Sequence, residues 1–336
     1  MTKVVGFIKY SIVVFLIGIV SIQCKKKQEK IDFSSIEIDS ELRRFDQALF
    51  EPESFGEENL DELKENFPSF YPIFARQVLR PLKGEELTAI DGFRNYFDSL
   101  SVYQHAQDQF GDFQDEFDSI KKMQQRFKYY FPNYEPADVT TLISGFGFKN
   151  ALTDKSIAIS LDTYLDSVDY SLMGDYIPLY QLHGFDEDYL LADVASALVD
   201  DFYPDNENYT TLLDRMIFGG KKLFLKEKLL PNAPKHTIIG MTKEDFEWCE
   251  ANEADIWKYF LSEELLYSRD FNRFKSYITP GPFSAGMPED APAQTGDYTG
   301  WKIMESLSKK KQDESVQNLL LNYDSQAVLN AAKYDP

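Results

Sequence analysis

Residues 139–161 read VTTLISGFGFKNALTDKSIAISL. Two short runs rich in β-branched residues, 139–143 and 156–161, frame a glycine-containing loop over residues 144–155. β-Branched side chains are stiff at χ1 and pack well on a pleated surface, so each run reads as a strand. The pair is expected to form a hairpin with a long connection. Around this island the apolar residues recur at helical spacing. The fold class that follows is α+β and mainly α-helical, with helices around a small central sheet.

The helical period is clear on both sides. Leu42, Phe45, Leu49 and Phe50 mark one apolar face. Phe113, Phe117, Ile120, Phe127 and Tyr130 mark a stronger one, and Phe131-Pro132 stops that helix. Phe67-Pro68 and Tyr71-Pro72 are expected to break the earlier stretch. Downstream, Leu190, Leu191, Val194, Leu198 and Phe202 line a helix that Tyr203-Pro204 ends. Another helix is expected over residues 210–230. The Thr242-Lys-Glu-Asp245 capping box opens a helical stretch running toward Tyr267. Residues 279–300, TPGPFSAGMPEDAPAQTGDYTG, hold four prolines and four glycines and read as a long loop. Phe283, Met287, Tyr298 and Trp301 predict that this loop is packed. A helix from near Gly300, then helices over 315–321 and 326–334, finish the chain.

The N-terminus has three zones. Lys3 and Lys9 give a positive start, SIVVFLIGIVSI over residues 11–22 is apolar, and Cys24 precedes Lys25, Lys26 and Lys27. This is the pattern of a secretory signal. An uncleaved anchor over residues 4–22 would bury Lys9 at a cost of a few kcal/mol. Ser21-Ile22-Gln23-Cys24 resembles a lipoprotein processing site, although Gln23 stands where a small residue is usual. The expected organisation is a signal peptide over 1–23, a tether lipidated at Cys24 over 24–35, and a single globular domain over 36–336. Acyl chains on Cys24 would anchor the protein to a membrane.

Acidic residues number 56 against 35 basic ones, a net charge of −21. Phosphate backbones demand basic patches, so nucleic acid is excluded as a partner. Only two cysteines occur, and with lipid on Cys24 the other, Cys249, has no disulfide partner. The fold must then rest on its core, which the 43% hydrophobic content allows.

No motif assigns a reaction. His105, His183 and His236 are scattered and read as ordinary surface or turn residues, with no His-Glu-x-x-His pair. Ser284 lacks the glycine two residues before it that a nucleophile elbow needs, since Pro282 stands there. Asp162, Asp166 and Asp169 would share a helix face but lack the central glycine of a calcium loop. Trp248 and Trp257, nine residues apart on one helix, would point to different faces and read first as core.

Several stretches together resemble one family. They are Arg44-Phe-Asp46, Gly147-Phe-Lys-Asn150, Ile159-Ser-Leu-Asp162 with Tyr164-Leu165, and Leu212-Leu-Asp-Arg-Met-Ile-Phe-Gly-Gly-Lys221. Further on come Ile239-Gly-Met-Thr242, Trp248-Cys-Glu-Ala-Asn-Glu253 with Ile256-Trp257, and Leu266-Tyr-Ser268. Pro282-Phe-Ser-Ala-Gly-Met-Pro288, Ala291-Pro292, Gly296 and Gly300 complete the series. In this order they resemble the GldB gliding-motility lipoproteins of the Bacteroidetes. That family is similar, more distantly, to zinc peptidases of the zincin type, which implies zincin-like helices around the sheet. The helix that would bear the zinc ligands reads YLLADVASALVDD over 189–201 and has no histidine, and Gly219 stands where a glutamate ligand would be. The resemblance therefore implies a protein without catalytic residues, metal or cofactor. Its partners would be other gliding and secretion proteins of the envelope. It would face the periplasm, from the outer rather than the inner membrane. Binding candidates matching the family pattern are Lys221, Trp248, Glu253, Trp257 and Ser284. Two alternatives stay open: a divergent envelope hydrolase acting on peptides or glycans, and a sugar-binding lipoprotein using Trp248, Trp257 and Trp301. A carboxylate-rich cleft between the helices at 189–201 and 219–221 would favour the hydrolase.

Overall fold

Four strands form one mixed sheet in the order β1-β2-β4-β3. They are β1 (Leu42–Arg44), β2 (Asp138–Leu142), β3 (Asn150–Leu152) and β4 (Ser156–Ser160). The computed structural model describes residues 32–153, 155–173, 177–205, 209–321 and 323–336. The signal segment and Cys24 lie outside the described residues. Residues 36–336 form one compact unit, and it alone is described below.

The sheet departs from the expected hairpin. β2 and β4 run parallel, with Val139 opposite Ile157 and Thr141 opposite Ile159. The hairpin is formed instead by β3 and β4, antiparallel with Ala151 opposite Ala158. β3 lies inside the expected loop and reverses the chain before β4. Its sequence, Asn-Ala-Leu, has no β-branched residue to announce a strand. β1 was hidden as well, because Leu42 continues the three-residue spacing of the helix that follows. It pairs parallel with β2, Leu42 opposite Val139. Every residue of β4 is buried, as suits a central strand covered on both faces.

Helices pack around this sheet. Before β2 come α1 (Phe45–Phe50), α2 (Glu57–Asn66), α3 (Tyr71–Phe74), α4 (Glu86–Ser99), α5 (Val102–Phe110) and α6 (Gln114–Tyr130). Phe67 ends α2 as expected. Pro72 does not break a helix: it sits in the first turn of α3, where its missing N–H costs nothing. α6 buries Phe117, Ile120 and Phe127 together with Gln124. Gln124 is satisfied there, its Oε1 accepting from Ala137 N and the Tyr134 hydroxyl, each at 2.8 Å.

After β4 come α7 (Leu190–Phe202), α8 (Leu212–Leu229), α9 (Lys235–Ile239), α10 (Lys243–Ala251), α11 (Glu253–Ser262) and α12 (Phe271–Phe274). The stretch opened by Thr242 is thus two helices that meet at Asn252. The Thr242 cap accepts from Asp245 N at 3.0 Å. α13 (Thr295–Lys310), α14 (Val316–Leu321) and α15 (Ser325–Ala332) close the chain. α13 begins five residues earlier than expected, so Gly296 and Gly300 lie within a helix and the proline-rich loop is shorter.

Two contacts organise these layers. Asp46 is fully buried and accepts from Arg44 Nη2 at 2.7 Å, Thr141 Oγ1 at 2.5 Å and Gln107 Nε2 at 3.0 Å. It thereby joins β1, β2 and α5, and every lone pair it buries is compensated. The second contact is the crossing of α8 and α13. A Cβ on Gly300 would lie 1.8 Å from the Met216 carbonyl oxygen, and one on Gly220 would lie 2.2 Å from the Gly300 carbonyl carbon. Only hydrogen fits between these backbones.

The two classes of helical glycine should separate by substitution. Gly300→Ala is expected to lose at least about 3 kcal/mol, because neither backbone can retreat without moving a helix. Gly92→Ala, on the exposed face of α4 with open space around it, should gain about 0.5–1 kcal/mol. Urea unfolding of both variants measures the contrast, and equal effects would refute the close crossing.

Candidate functional site

A cleft of about 680 Å³ lies beside α7. Phe146, Gly147, Phe148 and Lys149, just ahead of β3, form one wall, and the 3-10 segment Leu179–Gly184 contributes Leu179, Tyr180 and His183. The corner between α9 and α10 contributes Ile239, Gly240, Met241 and Thr242. Pro280, Pro282, Pro292 and Gln294 from the proline-rich loop form another wall, while Asp193 and Ser196 of α7 and Lys226 of α8 line the interior.

Each wall is held for a local reason. Gly240 ends α9 with φ +80°, a left-handed cap that glycine adopts without strain. Its carbonyl accepts from His183 Nε2 at 3.0 Å, and the next carbonyl, Met241, accepts from the Tyr189 hydroxyl at 2.6 Å. Asp162, fully buried in a 3-10 turn, accepts from the N–H groups of Ser144 at 3.0 Å and Phe146 at 2.5 Å and from Ser160 Oγ at 2.5 Å. Burial raises its carboxyl above the usual range, and these hydrogen bonds pull the other way. Asp162 is therefore a loop organiser, and it lies in no helix shared with Asp166 and Asp169. Phe146 (φ 61°) and Gln294 (φ 62°) are both left-handed without being glycine. Such conformations persist only where the surroundings impose them, and they gather at functional sites.

The interior is a chain of paired polar groups with one outlier. Lys149 Nζ lies 3.0 Å from Asp193 Oδ2, which also accepts from the Tyr164 hydroxyl at 3.1 Å. Asn150 Nδ2 donates to that hydroxyl at 2.9 Å. Burial, then the charge of Asp193, holds the Tyr164 phenol well above its usual range. The outlier is Lys226. Its ammonium is buried and donates to the Ile238 carbonyl. Burial pushes it from the usual 10.5 down to about 8, partly offset by Asp193 and Asp200.

The five expected binding residues do not meet at this cleft. Lys221 reaches the Tyr323 carbonyl at 2.7 Å, beside a second cleft of about 600 Å³ that Tyr203, Tyr209 and Phe218 also line. Glu253 clasps the C-terminal helices, accepting from Tyr298 at 3.1 Å and Tyr334 at 2.9 Å, with Lys302 at 3.4 Å. Trp257 is buried edge-on to Tyr334, Trp248 is partly buried on α10, and Trp301 is buried under Lys235. Ser284 is buried too. Its Oγ donates to the Pro292 carbonyl at 2.6 Å and lies 2.8 Å from Thr295 Oγ1, stapling the loop that walls the cleft. The residues that do line the cleft, Lys149, His183, Tyr189, Asp193 and Lys226, carry no motif of their own. Of these, Lys149 alone sat within a stretch matching the family pattern, and His183 is a wall residue rather than a plain turn residue.

Ligands of the zinc-peptidase kind do not fit here. α7 turns Asp193 and Ser196 to the cleft, and the space a side chain on Gly219 would need is filled by Asp297 Oδ1. Burial pushes the Asp297 carboxyl up to about 7. Among the described residues, no group of three or more His, Cys, Asp or Glu side chains is placed to share a metal ion.

Among known families, a family model described as gliding motility protein GldB matches residues 26–336. No curated protein and no solved structure matches the chain.

Lys226 gives the fold a pH signature. Between about 8 and the usual 10.5 the unfolded chain binds a proton that the folded chain has released. Stability contributed by this site therefore rises with pH across that window. Lys226→Met removes the effect. Stability of the natural protein relative to Lys226→Met should rise by up to about 3 kcal/mol between pH 7 and pH 10. Urea unfolding at both pH values checks this, and a constant difference would refute it.

Proposed function

The chain belongs to the family of the gliding motility protein GldB, and we propose that it works there as a non-catalytic binding module. Membership implies a part in gliding motility, a place in the cell envelope and partners in the motility machinery. The module is lipid-anchored at Cys24, spaced from the membrane by residues 25–35, and faces the periplasm from the outer membrane. It engages its partner through the cleft beside α7. Catalysis is no part of this role.

One observation carries the reading. Stretches far apart in sequence, Gly147 to Lys149, Ile239 to Thr242 and Pro282 to Pro292, converge on one cleft. Their polar groups are spent on fixing its shape: His183 and Tyr189 hold the α9–α10 corner, and Ser284 staples the proline-rich wall. A rigid, shaped recess with its hydrogen bonds turned inward suits recognition. The hydrolase reading draws on the carboxylates of Asp193 and Asp245 in the same cleft. Asp193 is engaged by Lys149 and Tyr164, which occupy the oxygen that a base would use. Trp257 and Trp301 are buried and offer no platform to a sugar ring.

The test is a crosslinked pull-down of the tagged protein from the envelope of its own bacterium, beside a Cys24→Ala control. Motility or secretion components should be recovered with the natural protein and lost from the control, whose colonies should also spread poorly. Recovery of only degraded peptides or glycans, or equal recovery from the control, would overturn the anchored-module reading.

A further inference from the structure

Among the described residues no carboxylate lies within ion-pair distance of Lys226, and Asp193 and Asp200 act on it from farther off. Lys149 and Asp193 cancel at 3.0 Å. Asp200, whose charge also reaches Lys226, is exposed and paired with Lys222 at 2.8 Å. Asp245 sits in the first turn of α10, where the helix N-terminus already favours a carboxylate. An ammonium has three donors, and among the described residues that of Lys226 has one acceptor, the Ile238 carbonyl. In a molecule of net charge −21, a buried cation without a close ion-pair partner among the described residues, lining an open recess, is a specific attractor.

The rim adds a second requirement. Leu179 is 73% exposed. It stands on the 3-10 wall, and Pro280 and Pro282 give the proline-rich wall apolar surface. Apolar wall residues in the same cleft as a buried ammonium match a ligand that joins an apolar group to a single negative charge. A polyanion would meet one cation and a repelling surface. A carboxylate carries the single charge that one lysine satisfies.

Building on the binding-module reading, we propose that the cleft receives a peptide segment of the partner in which a carboxylate adjoins an apolar side chain. The carboxylate meets the Lys226 ammonium, and the apolar side chain lies against Leu179 and Pro282. The carboxylate can be a chain terminus or an acidic side chain, and the experiment separates the two.

The probe is a dye-labelled hexapeptide pool ending in leucine, made as the free acid, as the C-terminal amide, and as an amide with glutamate before the leucine. Fluorescence anisotropy reads its binding to the protein purified in detergent from its own bacterium. The plain amide should bind about tenfold more weakly than the free acid or more weakly still, as the loss of one charged hydrogen-bonding pair dictates. Recovery by the glutamate amide would assign an acidic side chain, and no recovery a chain terminus. Lys226→Met should bind free acid and plain amide alike. If that variant fails to fold, the comparison on the natural protein still decides. Equal binding of free acid and plain amide to the natural protein, or binding of none of the three pools, would overturn the proposal. The pull-down result stands apart from either outcome.

Discussion

The contact on which the rest depends is the one between the backbones of α8 and α13. Gly220 and Gly300 meet without side chains between them, and Asp297 fills the notch left by Gly219. Close approach multiplies dispersion contacts that are individually slight, and it fixes both helices against sliding. The start of α13 is thereby fixed, and with it Gln294 and the loop that Ser284 ties to Pro292 and Thr295. On the other helix, Lys226 lies a turn and a half beyond Gly220. One crossing therefore sets both the proline-rich wall and the charged interior of the cleft.

Buried charges serve the same architecture. Asp46 and Asp162 each collect donors from separate segments, and partly buried Glu253 does the same. Such clusters add little net stability beyond what apolar residues of the same volume would supply, but breaking one leaves a buried charge uncompensated. They act as registers, telling a strand, a loop or a helix where to sit. The large acidic surplus lies mostly elsewhere and keeps the surface solvated.

Much of the helical layer was legible because periodicity reports which face is buried. α6, α7 and α8 lie within a residue or two of where their apolar spacing put them. The sheet was legible only as two of its strands. Alternation says nothing of strand direction, and β3 is too short and too plain to signal the reversal that makes β2 and β4 parallel. The cleft was less legible still. It is assembled from Phe146 to Gln294 out of common residue types, and no local spacing brings Lys149, Asp193 and Lys226 together. Some stretches that carry the resemblance, such as Gly147 to Lys149 and Ile239 to Thr242, line the cleft, and the five candidate side chains do not. Ser284 and Glu253 belong to the scaffolding, and their neighbours face the cleft.

The sheet order has a mechanical corollary. β1 is the first strand and lies at one edge, while β3, continuous with the Phe146–Lys149 wall, lies at the other. Tension on the chain first loads the contacts of residues 36–41, among them the Ile36 carbonyl that accepts from Gln125 Nε2 at 3.0 Å and Ser40 Oγ that donates to the Ala137 carbonyl at 2.7 Å, and then β1. A pull directed along that strand must shear its register with β2 and the Arg43–Asp138 ion pair at 3.2 Å together, instead of peeling them one by one. From there the load runs through β2 and β4 before it reaches β3. The start of β1 and the cleft wall ahead of β3 are thus connected in series across the full width of the sheet, like the two ends of a short, stiff link.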